Sequence, residues 1–359
     1  MVPWKILVTG SSGLIGSEAV EQFDRQGHRV VGVDNNMRRV FFGPAGDTTW
    51  NLERLKKSTS RFEHRDIDIR DREGIFALVR EFRFDAILHC AAQPSHDKAK
   101  EIPLVDFEVN AMGTANLLEA ARQFSAEARF VFLSTNKVYG DAPNERPLNE
   151  LPSRYEYADP ADWDGISEEC RIDRTTHSVF GASKVAADIL AQEYGRYFGL
   201  NVGVFRGGCL TGPSHSGVEL HGFLSYLIKC ALSDQPYTVF GYKGKQVRDN
   251  IHSYDVIRAV EEFFKNPRPG EVYNLGGGRS NSVSMLEAIA KIEQLTEQKL
   301  RWQYQDQARK GDHICYITDM TKFSSHYPNW ELTKSLDAIF QEIISTAGKR
   351  RVAEVPAQD

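Results

Sequence analysis

A glycine-spaced turn sits directly behind the first apolar run of this 359-residue chain. Ile6-Leu7-Val8 leads into Thr9-Gly10-Ser11-Ser12-Gly13-Leu14-Ile15-Gly16, where a helix-period stretch begins. Glycines at this spacing suit a strand that turns sharply into a helix. Gly10 permits the tight turn, Gly13 lets backbone approach a pyrophosphate, and Gly16 lets the helix pack on the sheet. Ser12, Leu14 and Ile15 flank that approach and join the predicted cofactor contacts. The helix start offers free N–H groups and a positive dipole end to phosphate. Alone, such a turn often serves only packing.

The apolar runs beyond the turn extend the constraint. Val30–Val33, Phe62–His64, Ala86–Cys90, Phe130–Ser134 and Val202–Phe205 are predicted strands, after a first at Ile6–Val8. Helix-period stretches lie between them at 14–25, 72–82, 104–124 and 179–198. This alternation predicts an α/β fold, a doubly wound parallel sheet covered on both faces. After Arg206 the alternation breaks at Gly207-Gly208, Gly212-Pro213 and Gly217, and a helical stretch comes next at about 220–233. The predicted organisation is a dinucleotide-binding domain over 1–206, with 241–270 returning to it. A smaller lobe spans 207–240 and 271–348, and 349–359 is a tail. The polar, aromatic segment 141–176 is either a surface excursion or a functional insertion. Asp34, followed by Asn35, ends the second predicted strand, where a carboxylate accepts from an adenosine ribose hydroxyl and repels a 2′-phosphate. NAD is therefore expected over NADP, although Arg38 and Arg39 stand close by.

A net charge of −5 argues against a nucleic-acid or anionic-membrane surface. No stretch approaches the ~20 apolar residues of a membrane span, and no signal peptide is visible. The five cysteines form no Cys-x-x-Cys pair and the ten histidines show no ligand spacing, so no metal site is expected. This fits a reducing, cytoplasmic setting.

Further motifs carry a resemblance. Asp68-Ile69, His89-Cys90-Ala91-Ala92, Asn110-Ala111-Met112-Gly113-Thr114, Ser134-Thr135-Asn136-Lys137-Val138-Tyr139-Gly140 and Phe180-Gly181-Ala182-Ser183-Lys184 appear in that order. With them the chain resembles, over nearly its whole length, the extended short-chain dehydrogenase/reductases that epimerise or dehydrate nucleotide sugars. The resemblance implies that Asp68 and Ile69 contact adenine, and that Ala91, Ala92 and Asn110 lie beside NAD. It implies that Thr135 and Lys184 are catalytic, with Lys184 also reaching the nicotinamide ribose. Asn136, Lys137, Cys209, Arg248, Arg309 and Asp312, together with Thr135, are implied to face a CDP- or UDP-sugar. The Ser-Thr-Asn-Lys-Val-Tyr-Gly-Asp run points to members acting at C2 of a CDP-sugar; a UDP-sugar 4-epimerase or a dehydratase is the alternative. The family also implies a homodimer or homotetramer, pairing through 104–124 and 179–198.

One position departs from the pattern. The family carries a tyrosine one helical turn before the lysine, and this chain carries Phe180. The usual base is a tyrosinate whose charged form is favoured by a nearby lysine and the oxidised nicotinamide. A phenyl ring cannot move a proton, and loss of a general acid/base lowers rates by about 10²–10⁴-fold. Three readings arise, in order of preference. An introduced Tyr→Phe change traps substrate in an otherwise normal epimerase; a natural phenylalanine is served by another group; or the chain is a catalytically silent binder of NAD or nucleotide sugar.

Overall fold

The structure is a computed structural model describing residues 2–219, 221–308 and 311–354, with side chains through 349. Its centre is a seven-stranded parallel sheet. The strands are β1 Lys5–Thr9, β2 Arg29–Val33, β3 Phe62–Arg65, β4 Ala86–His89, β5 Arg129–Thr135, β6 Val202–Gly207 and β7 Glu271–Leu275. They lie in the order β7-β6-β5-β4-β1-β2-β3. The order reverses between β1 and β4, so the crevice opens at the carboxyl ends of those strands, where open α/β sheets bind ligands.

Alternation of side chains builds two cores. Ile6, Val8, Val30, Leu88, Val131 and Phe205 face α1 (Leu14–Arg25) and, further along the chain, the helix Ser253–Lys265. Leu7, Val31, Ile87, Phe130, Phe132 and Val204 face the helices α2 Arg72–Phe82, α3 Gly113–Phe124 and α4 Val179–Arg196. Period-two alternation with both faces apolar is what a doubly covered parallel strand requires.

Three expectations need adjustment. The predicted helix 104–124 is two α-helices, Pro103–Phe107 and α3, joined by a π-turn at Glu108–Met112. The wider turn holds the buried Asn110 side chain against Gln93, Asp106 and Ser183. The strand Glu271–Leu275 lies beyond the boundary drawn at 270, yet it pairs with β6 in the central sheet. Its Val272, Tyr273 and Leu275 are buried on both faces, so it belongs to the sheet core rather than the lobe. The helix expected at about 220–233 runs Phe223–Ser233, and it packs with Met285–Thr296 and the C-terminal helix from Leu336 into the lobe's own core.

The segment 141–176 folds into short 3₁₀ turns and a hairpin of Leu148–Glu150 with Tyr155–Tyr157. It is stitched down by Asp141 to Thr175 and Thr176, and by Glu156 and Trp163 to Arg279. None of its residues lines the cleft described below.

Candidate active site

A continuous cleft of about 460 Å³ runs along the carboxyl ends of the strands and continues under the lobe. Its first half is built from backbone. Gly10 takes φ +67°, and a Cβ there would meet the Ala91 nitrogen at 2.9 Å. A Cβ at Gly16 would fall 2.1 Å from the Gly10 carbonyl oxygen, so only glycine brings α1 this close to the turn. The N-cap of α1 is Gly13, which supplies no side-chain cap and leaves the helix start open to phosphate. Gly13, Leu14, Ile15 and Gly16 line the cleft beside it. Ser12 lies behind this floor, and its amide is committed to Asp34 Oδ2 at 2.9 Å. Its buried hydroxyl has no hydrogen-bond partner among the described residues.

Asp34 also accepts from the Asn36 amide at 2.8 Å. Burial pushes its carboxyl pKa up while those amides pull it down. Asn35 donates to Asp68 Oδ2 at 3.1 Å, and Asn35, Asp68 and Ile69 form the cleft's far wall with Asp34. Both neighbouring arginines have partners within the protein. Arg38 donates to the Ser216 carbonyl at 2.6 Å and lies 3.3 Å from His221 Nδ1, and Arg39 pairs with Asp47. The open helix start, the glycine cradle and the carboxylate at the end of β2 fit NAD. Ala91 and Ala92 line the cleft as expected. Asn110 does not; it is buried behind the wall, organising Gln93 and Ser183. His89 is a further support, bonded to Thr9 Oγ1 (2.7 Å) and Thr114 Oγ1 (2.9 Å), with burial lowering its pKa to about 3.

At the middle of the cleft, β5 ends at Thr135 and turns into the 3₁₀ segment Asn136–Tyr139. Thr135 Oγ1 accepts from the Lys137 amide at 3.2 Å. Opposite, Ser178 caps α4 by accepting from the Gly181 amide at 3.1 Å. Phe180 stands in the first turn of that helix, and Lys184 one turn further on the same face. Thr135, Phe180 and Lys184 all line the cleft. Lys184 Nζ donates to the Leu133 carbonyl at 2.8 Å and sits 4.2 Å from the Phe132 ring centroid. Burial lowers its pKa to about 8.

Beneath these residues lies a charged network centred on Arg206 and Asp188, a pair that no sequence motif singles out. Arg206 of β6 makes a two-point contact with Asp188, both nearly solvent-free. Ser134 donates to Asp188 at 2.5 Å. Arg206 also donates to Tyr139 Oη at 3.1 Å, which donates to Asn274 Oδ1 at 2.6 Å. Asp188 sits one turn beyond Lys184 on α4, a spacing that offered a signal. The network ties α4, β5, β6 and β7 into one block under the reactive centre.

The second half of the cleft is made of side chains from distant segments. Arg248 donates to Asp312 Oδ1 at 2.5 Å, and Lys137 Nζ lies 3.6 Å from the same oxygen and donates to the Gly311 carbonyl at 2.9 Å. The two cations hold the Asp312 carboxyl well below the usual carboxylate range, against burial. Cys209 and Asn136 line the cleft beside them, and burial pushes the Cys209 thiol up to about 11. Arg309 lies outside the described residues.

The sheet order, the glycine cradle and the Thr–Lys pair define a dinucleotide-binding enzyme of the extended short-chain dehydrogenase/reductase type. The chain belongs to the NAD dependent epimerase/dehydratase family, whose model matches residues 6–276. NAD is its cofactor. It is 32% identical over 328 residues to CDP-paratose 2-epimerase of Salmonella typhi, covering 89% of this chain and 93% of that one. It is 29% identical over 336 residues to UDP-glucuronate 4-epimerase of Thermodesulfobacterium geofontis, covering 92% of each. The fold matches the UDP-glucose 4-epimerase of Thermus thermophilus, solved with NAD, at a TM-score of 0.76 and 26% identity, over 96% of this chain and 99% of that one. No helix among the described residues is long and apolar enough to cross a membrane.

Proposed function

We propose that this chain epimerises a nucleotide sugar at C2, converting CDP-paratose to CDP-tyvelose through a 2-keto sugar. The observation that carries this reading is the continuity of the cleft. Asp34 marks one end, Thr135, Phe180 and Lys184 the middle, and Arg248 with Asp312 the other. NAD and a nucleotide sugar fit such a cleft end to end, with the reacting carbon at the middle. The similarity to CDP-paratose 2-epimerase over most of both chains supports the choice of sugar.

NAD supplies the hydride acceptor, which becomes the donor on the return. The protein's residues do the rest. Thr135 Oγ1 orients the reacting hydroxyl, and Lys184 holds the nicotinamide ribose. Arg248 offers a planar fork to the diphosphate once substrate competes with Asp312.

Thermal unfolding of the NAD-bound protein tests the sugar assignment, because a ligand that binds only the folded state raises the melting temperature. CDP-paratose is expected to raise it and UDP-sugars to leave it unchanged. The opposite pattern makes the chain a UDP-sugar 4-epimerase or dehydratase. Binding without turnover, in the native chain and in Phe180→Tyr alike, makes it a silent binding protein.

A further inference from the structure

The strand Val247–His252 and the residue before it present one row of side chains to the cleft. Side chains alternate along a strand, so Gln246, Arg248 and Asn250 fall on one side, and all three line the cleft. Successive members of the row are about 6–7 Å apart. Asn250 pairs with Cys209, two residues past Gly207, and Gly207 pairs with Thr135. The Asn250 end of the row therefore points to the reactive centre. Gln246 is at the far end, where its carbonyl accepts from the Met285 amide at 3.3 Å. A substrate laid along the row with its sugar toward Thr135 and its diphosphate at Arg248 brings its nucleobase to Gln246.

The surroundings of Gln246 suit a flat, apolar ring with one polar edge. Tyr237, Phe240, Val283 and Met285 line the cleft beside it. Gln246 itself is only 7% exposed. Its Nε2 donates to the Phe240 carbonyl at 3.1 Å, which fixes the amide, because the reverse orientation sets oxygen against oxygen. Oε1 has no hydrogen-bond partner among the described residues. Buried polar atoms are nearly always paired. An oriented, unpaired acceptor in the wall of a cleft is a place for a donor on the ligand.

We propose that Gln246 selects the nucleobase, its Oε1 accepting a hydrogen bond from the exocyclic amine of cytosine. That amine stands out from the ring edge and reaches a recessed acceptor. Uracil carries a carbonyl oxygen at the same position, so acceptor meets acceptor. The amide cannot turn to offer an N–H instead without giving up the Phe240 carbonyl. The inference rests on the CDP-sugar reading above and names the residue that enforces it.

Calorimetry on the NAD-bound native protein and on NAD-bound Gln246→Met tests it with three probes: CDP, UDP and a CDP analogue with hydrogen in place of the amine. The analogue removes the donor without touching the protein. The native protein is expected to bind CDP about ten- to a hundredfold more tightly than either of the others, since each leaves the acceptor unpaired. Gln246→Met is expected to lose that factor for CDP alone, so that the three affinities converge. A variant that keeps the full preference for CDP, or that loses all three ligands equally, overturns the role of Gln246 and leaves the CDP-sugar reading standing. So does a native protein that prefers CDP to UDP but binds the analogue as tightly as CDP. A native protein that binds UDP as well as CDP overturns both the inference and the choice of base. If the native protein binds none of the three, the nucleotide-sugar reading falls and the inference with it.

Discussion

The two halves of the cleft are built by different means. The cofactor half is mostly backbone: a turn whose glycines exclude any side chain, an open helix start, and a carboxylate held by two amides. The sugar half is a set of charged and polar side chains gathered from beyond the ends of β5 and β6, from the strand Val247–His252 and from the segment near 312. A site made of backbone is inseparable from the fold, so altering it disturbs stability and binding together. A site made of side chains can be altered with the fold intact.

The largest expected effect lies under both halves. Asp188→Ala leaves the Arg206 guanidinium buried and without its carboxylate, and breaking a buried pair in this way costs about 3–5 kcal/mol. Urea denaturation should show that loss in the apo-protein, before any ligand is added. Gly16→Ala comes next. The new methyl collides with the Gly10 carbonyl, and overpacking of this kind costs about 1–3 kcal/mol. NAD should no longer copurify with the variant. Arg248→Lys is the smallest and separates the halves. It keeps the charge beside Asp312 but loses the two-point fork, so CDP-sugar affinity should fall about tenfold, ~1.4 kcal/mol. Calorimetry should find NAD binding unchanged. A variant that lost NAD as well would break the distinction between the halves.

The same distinction explains what was legible in the sequence. The glycine turn, Asp34 and the strand–helix alternation are local patterns, and each residue's neighbours in sequence decide its role. Asp188 beneath Lys184 was within reach of helical spacing, yet its partner Arg206 comes from another strand and is visible only once β5 and β6 pair. Asn110 was placed beside the cofactor by resemblance, whereas the π-turn at 108–112 directs it behind the wall. The strand Glu271–Leu275 was missed because a short apolar run after an irregular region carries no periodic signal of its own. The Lys137–Asp312–Arg248 cluster joins residues far apart in the chain, and only the fold shows that they share one carboxylate oxygen.

The central claim is that this chain moves hydride within one cleft while its proton travels through a group other than residue 180. Proton NMR of CDP-paratose incubated in D₂O with the NAD-bound native protein tests it most directly. The account predicts CDP-tyvelose with hydrogen, not deuterium, at C2, because the hydride is kept by the cofactor and returned. Deuterium at C2 would indicate removal and return of a proton at carbon. That result, or the absence of any product from the native chain, would contradict the account.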